Sequence, residues 1–265
     1  MAGETRERVK IAPSPKRVRG YFGGEQVFDT TEARLVWEIP YYPAYYIPAG
    51  AIRTGLLTPS NRTEHSPSRG EARYLTLTVG DAVAKDAAWQ YPDSPIEELR
   101  ELIRFDWESL DAWFEEDEEV YVHPRDPHSR VDILTSSRHV EVVINGVTVA
   151  ESHKPTLLFE TGLPTRYYLP QVDVRMDLLR PSSFSSRCPY KGTASYWSVE
   201  VGGELFEDVV WIYRTTLPES QKIVGLAAFY NERVDLIVDG VPQERPRSPF
   251  SPRPQGQPPQ PGVFT

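Results

Sequence analysis

The chain repeats itself. Residues 32–92 align with residues 154–214 at a constant shift of 122 without a gap, and 19 of these 61 positions are identical. They include Leu35/Leu157, Glu38/Glu160, Tyr45-Tyr46/Tyr167-Tyr168, Pro48/Pro170, Arg53/Arg175, Gly70/Gly192, Tyr74/Tyr196, Trp89/Trp211 and Tyr91/Tyr213. A tandem duplication of this length binds the two halves to one architecture, because whatever pattern folds one copy must fold the other. Two residues inserted in the second copy move the shift to 124, after which Phe105/Phe229, Glu108/Glu232 and Asp111/Asp235 coincide. The first domain is expected over residues 17–124 and the second over 139–242.

Each copy opens as a hairpin. Residues 17–22, the Gly23-Gly24 pair and residues 25–29 read as strand, turn and strand, and residues 139–144, Asn145-Gly146 and 147–150 repeat the pattern. Two-residue loops of this kind select the turns that match strand twist. Residues 71–79 and 194–201 alternate apolar and polar side chains with a period of two, as half-buried strands do. Apolar residues at 96, 99, 102, 103 and 105 with charges between them predict a helix, and Pro218 opens the equivalent segment as a first-turn proline would. The expected domain is mostly antiparallel β-sheet with one short helix.

Outside the copies the pattern fades. Residues 1–16 carry charge and proline without periodicity and read as a tail, and residues 125–138 read as a polar linker. Residues 243–265 are dense in Pro, Arg, Ser and Gln and are expected to be disordered. Their Pro-x-x-Pro spacing from Pro258 to Pro261 is the kind that proline-binding modules recognise, so a non-catalytic assembly module recruited through this tail is one functional reading.

Composition excludes other classes. A net charge of −9 disfavours nucleic acid, whose phosphates need a basic surface. No stretch approaches the roughly 20 apolar residues of a membrane span, and the charged start lacks an export signal, so a soluble cytoplasmic protein is expected. One cysteine forbids an internal disulfide. None of the five histidines shows metal-ligand spacing, so neither metal nor cofactor is expected.

The second copy resembles the family known as domain of unknown function 427. The likeness rests on Asn145-Gly146, His153-Lys-Pro155, Glu160-Thr161, Arg166-Tyr-Tyr-Leu-Pro170, Asp173-Val-Arg175, Asp177-Leu-Leu179, Cys188-Pro-Tyr-Lys-Gly192, Ala194-Ser-Tyr-Trp197, Trp211, Tyr213 and Ala228-Phe-Tyr230. The first copy matches in outline and is the degenerate one. The resemblance implies an all-β fold of the β-tent kind, similar to methionine sulfoxide reductases and cereblon's ligand-binding domain. A nucleotidyltransferase-like label also attaches to the family. That chemistry wants paired metal carboxylates after a glycine-serine turn, and Asp173 with Asp177 matches it poorly.

Candidate site residues cluster between 153 and 197. Cys188 is the only thiol, flanked by Arg187 and Lys191, and cations favour the thiolate; His153 is its candidate base and Glu160 a candidate acid or base. A small buried hydrophobe at the start of a turn is the plainer reading of Cys188. Lys191-Gly192, matched by Arg69-Gly70, puts a cation in a loop able to hold a carboxylate or phosphate. Arg166, Asp173, Arg175 and Asp177 can ring a polar pocket or knit an internal salt-bridge network. Tyr168, Tyr196 and Trp197 supply aromatic bulk to the core or to a pocket wall. Arg166, Asp173, Asp177 and Cys188 become Ala44, Ala51, Gly55 and Ser66 in the first copy, which assigns function to the second. The leading reading is a small polar or anionic ligand bound there, with an enzyme acting through Cys188 or a Glu160 acid-base pair as the alternative. The two copies are expected to pair within the chain, and a homodimer stays open.

Overall fold

The computed structural model describes residues 9–252, divided into two compact units between Asp126 and Pro127. The first unit holds β1 (Lys10–Pro13), β2 (Val18–Phe22), β3 (Glu25–Thr30), β4 (Arg34–Trp37), β5 (Ala44–Pro48), β6 (Leu57–Ser66), β7 (Gly70–Val79), β8 (Ala82–Gln90), β9 (Leu102–Phe105), β10 (Ala112–Glu115) and β11 (Glu118–Val120). The second holds β12 (Val131–Thr135), β13 (Val140–Ile144), β14 (Val147–Ser152), β15 (Thr156–Glu160), β16 (Arg166–Leu169), β17 (Leu179–Cys188), β18 (Gly192–Val201), β19 (Glu204–Tyr213), β20 (Ala227–Phe229), β21 (Asp235–Val238) and β22 (Val241–Pro242).

Each unit folds into a seven-stranded and a four-stranded antiparallel sheet. The larger sheets run β1-β4-β5-β9-β8-β7-β6 and β12-β15-β16-β20-β19-β18-β17, and the smaller ones β11-β10-β2-β3 and β14-β13-β21-β22. Strand for strand these are the same topology, as the duplication demands. No helix among the described residues is long and apolar enough to cross a membrane.

The main core of each unit lies between its two sheets. In the second, Val140, Val142, Leu236 and Val238 of the small sheet meet Leu169, Val199, Val210, Ile212 and Phe229 of the large one. Strand alternation then sends the neighbours of these residues to the other face. Tyr168, Ala194, Tyr196, Trp211, Tyr213 and Ala228 form a second apolar cluster there, on the outer face of the large sheet. The first unit repeats this with Tyr46, Tyr74 and Tyr91.

Three segments differ from the sequence reading. Residues 10–13 and 131–135, read as tail and linker, are the edge strands β1 and β12, paired with β4 and β15. They are short, and Pro13 sits at a position only an edge strand tolerates, so neither carries a clear period. The helix expected from residue 96 is a single 3-10 turn, Glu97–Leu99, followed by β9; its counterpart is the 3-10 segment Pro218–Ile223. Strand β9 lies between β5 and β8 and is buried on both faces, which erases the alternation that would distinguish it from a helix.

The start of the proline-rich segment also differs. Gln243 N–H donates to Leu236 O at 2.8 Å, Arg245 pairs with Asp235 at 2.7 Å, and Phe250 packs on Tyr230 with ring centroids 5.9 Å apart. Residues 243–252 thus follow the surface of the second domain rather than leaving it. The Pro258 to Pro261 motif lies outside the described residues.

Candidate functional site

The outer face of the second domain's large sheet gathers polar groups among rings. Trp211 Nε1 donates to Tyr168 Oη at 3.1 Å, and the two rings meet edge to face at 89° with centroids 6.2 Å apart. Tyr196 Oη lies 2.8 Å from Ser186 Oγ and 3.1 Å from Tyr230 Oη. Ala194 and Ala228, both fully buried, leave the room these rings fill.

At one end of this face Lys191 Nζ lies 2.5 Å from Glu160 Oε2, with side-chain exposures of only 11% and 9%. The loop that delivers Lys191 depends on Gly192. Its φ is +100°, and a Cβ there would stand 3.4 Å from Thr215 O. Gly70 has the same character, with φ +93° and Pro95 Cδ 3.3 Å from where a Cβ would sit. Burial opposes the Lys191 charge, but attraction from Cys188 and Glu160 outweighs it and holds the ammonium above its ordinary range. Burial pushes the Tyr168 hydroxyl up to about 12 despite the opposing pull of Lys191. Tyr213, buried beside Tyr168 and Cys188, is also raised. Cys188 ends β17 opposite Gly192, half-buried and unpaired with another thiol.

A second buried pair occupies the same face. Arg166 grips Glu232 bidentately, at 2.7 and 2.8 Å, and also reaches Asn231 Oδ1 at 3.4 Å. Its guanidinium lies 5.6 Å from the Trp211 centroid, 5.7 Å from Tyr230 and 5.6 Å from Phe250. Burial would raise the Glu232 pKa, but hydrogen bonds from Arg166 and Ser248 carry it below its ordinary value. Ser248 Oγ donates to the same carboxylate that Arg166 holds.

The structure therefore brings Glu160, Arg166, Tyr168, Cys188, Lys191 and Tyr196 to one face. It places the remaining candidates elsewhere. Asp173 accepts from Ser152 Oγ at 2.6 Å, and Arg175 and Asp177 form an exposed pair at 2.7 Å. Trp197 turns toward the inter-sheet core, since its neighbour Tyr196 takes the outer face. His153 stacks on His139 at 4.2 Å, beyond the end of β14 on the smaller sheet, which leaves it outside the Cys188 cluster. Neither Asp173 nor Asp177 faces the other as a metal-binding carboxylate pair would, so the nucleotidyltransferase expectation gains nothing.

Sequence reasoning missed Glu232, Tyr230 and Ser248 as site residues. The repeat marked Glu232 through Glu108, but its partner Arg166 is 66 residues away and only the β16–β20 pairing joins them. Ser248 lay in a segment whose composition hid its contact.

The first domain keeps a related arrangement. Tyr46 Oη donates to Glu38 Oε1 at 2.6 Å, while Arg69 and Arg104 approach that carboxylate at 3.8 and 3.5 Å. Arg104 stands where the second domain has Ala228, and Ala44 where it has Arg166. Both faces bury an acid beside a cation, with the second cation moved to another strand.

A family model for domain of unknown function DUF427 matches residues 10–116 and 132–240. The chain belongs to that family. Its two DUF427 copies correspond to the two structural units, and each match begins at or beside the edge strand of its large sheet. A comparison with curated proteins finds no match.

Proposed function

We propose that the second DUF427 domain binds a small polar or anionic ligand on the outer face of its seven-stranded sheet, with Lys191 and Tyr168 as principal contacts. The observation that carries this reading is the Lys191–Glu160 pair, buried among aromatic rings. Two charges removed from water cost several kcal/mol each before their attraction is counted, and apolar residues of similar size would hold a sheet as well or better. An ion pair kept at that cost among rings, and echoed by Glu38 and Arg69, is suited to exchange partners with an incoming group.

Thermal shift against a panel of phosphorylated, carboxylated and aromatic metabolites tests it. A ligand at a hundred times its Kd adds about 2.7 kcal/mol, on the order of 10 °C for a domain of this size. The shift should vanish in Lys191→Met and persist in Arg175→Ala, whose side chain is exposed and paired elsewhere. A shift that survives Lys191→Met, or the absence of any shift across the panel, overturns the reading.

Cys188 supports a second reading, covalent chemistry, because its thiol lies close enough to Lys191 to bias that ammonium. Cys188→Ser separates the two: a binding face keeps its thermal shift in this variant, and a thiol-dependent enzyme loses turnover.

A further inference from the structure

We propose that His139, Glu151 and His153 form a site for a divalent transition-metal cation of the zinc class on the smaller sheet of the second domain. Glu151 and His153 are two residues apart, on and just beyond β14, so their side chains leave the sheet on one side. His139 precedes β13, and the register that pairs Val140 with Ser152 sets it across from His153. The imidazoles stack at 4.2 Å and 12°, and His139 Nε2 lies 2.9 Å from Glu151 Oε1. One ligand atom from each of the three falls within 4.8 Å of the others. Tetrahedral zinc with bonds of about 2.0–2.2 Å holds its ligands roughly 3.3 Å apart, so modest rotations of the exposed Glu151 and His153 toward the half-buried His139 close the set.

Charge around the cluster points the same way. Glu141 lies directly opposite Glu151 in the strand register, and its Oε1 is 3.7 Å from His139 Nδ1. Like charges facing across a strand pair repel. From the neighbouring strand end, Asp239 accepts the His139 backbone N–H at 2.9 Å and is already paired with Arg138 at 2.7 Å.

The first domain supplies the internal comparison. At the positions of His139, Glu141, Glu151 and His153 it has Arg17, Arg19, Asp29 and Thr31, and Arg19 pairs in register with Asp29 as Glu141 does with Glu151. Arg17 Nε donates to Asp29 Oδ1 at 2.7 Å, so a fixed guanidinium neutralises the acid there. The second domain has exchanged both guanidinium groups for an imidazole and a carboxylate and added a second imidazole. A bound cation restores the positive charge. Two imidazole nitrogens with a carboxylate suit zinc, nickel or copper rather than magnesium or calcium. The expectation of no metal rested on the spacing of the histidines, and His139 joins Glu151 and His153 only through cross-strand pairing.

The test is calorimetric titration of zinc chloride into the untagged, chelator-stripped full chain at about pH 7.5, repeated at about pH 5.5 where protons compete for the imidazoles. One equivalent should bind at the higher pH, raise the melting temperature, and be lost at the lower. His153→Ala and Glu151→Gln should each weaken binding at least about tenfold, since a ligand is removed. The pair His139→Arg with His153→Thr, which installs the first domain's residues, should fold and bind no zinc, while His65→Ala binds as the parent does. Absence of saturable binding by the parent, or an affinity in Glu151→Gln and His153→Ala equal to the parent's, overturns the proposal; if the paired variant fails to fold, those two single variants decide.

Discussion

Lys191 and Glu160 meet at 2.5 Å on a face lined with aromatic rings, and each is nearly withdrawn from water. Their coupling governs what either substitution does. Lys191→Met or Glu160→Leu leaves the partner buried and unpaired, at a cost of about 3–5 kcal/mol, whereas the double replacement of both removes both charges and should cost less than either single change. Urea unfolding of the four proteins near neutral pH measures this. Additive losses would show the charges to be independent.

The same face sets an alkaline limit to stability. Lys191 has a folded pKa above its ordinary 10.5, so its contribution is complete below that value and fades as pH rises through the folded one. Tyr168, ordinarily 10.0, is pushed up to about 12, so the fold keeps a proton that the unfolded chain has released and loses stability across that interval. Two pKa units correspond to about 2.7 kcal/mol. Unfolding free energy measured between about pH 9 and 12 should fall more steeply for the parent than for Tyr168→Phe.

Arg166 and Glu232 predict the acid limb. Glu232 lies below its ordinary 4.5, so its stabilisation is complete above that value and is lost as pH falls through the folded one. Glu232→Gln should flatten the pH dependence below about 4.5. Arg166→Met should cost about 3–5 kcal/mol at neutral pH by stranding a buried carboxylate. A parent curve that Glu232→Gln leaves unchanged at acid pH would remove this pair from the account.

Much of this architecture was legible because it repeats. The shift of 122 revealed the two tandem copies, and the period of two in β7 and β18 assigned their strands. The convergence of Glu160, Tyr168, Cys188 and Lys191 followed from a dense local motif. What escaped were relations that only tertiary pairing creates. Strand β9 hid its period by being buried on both faces, β1 and β12 were too short to show one, and Glu232 joins Arg166 through strand pairing rather than proximity in sequence. Ser248 and Phe250 escaped because a Pro-rich composition describes a segment's average and not its few anchoring side chains.

Those anchors give the next prediction. Phe250 covers Tyr230 and Arg166, and Ser248 donates to Glu232. Truncation after residue 242 should cost about 2–4.5 kcal/mol, the scale of one aromatic contact and one charge-assisted hydrogen bond. Phe250→Ala and Ser248→Ala should each reproduce part of that loss in urea unfolding. If the segment also shields the proposed ligand face, the truncated chain should bind its ligand more tightly while being less stable, a combination that a merely structural anchor does not produce.

Gly192 offers a way to disturb the site without touching a charge. Alanine at φ +100° adopts a conformation that side chains rarely reach, at a cost of about 1–3 kcal/mol, and its Cβ also meets Thr215 O at 3.4 Å. Gly162 has φ +77° with open space around it, so Gly162→Ala carries backbone strain without the contact. Both substitutions should destabilise, Gly192→Ala the more. Only Gly192→Ala should also weaken ligand binding, because relief of the backbone strain at φ +100° moves the strand turn that carries Lys191. Equal stability losses with unchanged ligand shifts in both variants would mean that the turn tolerates displacement and that the position of Lys191 is fixed by Glu160 alone.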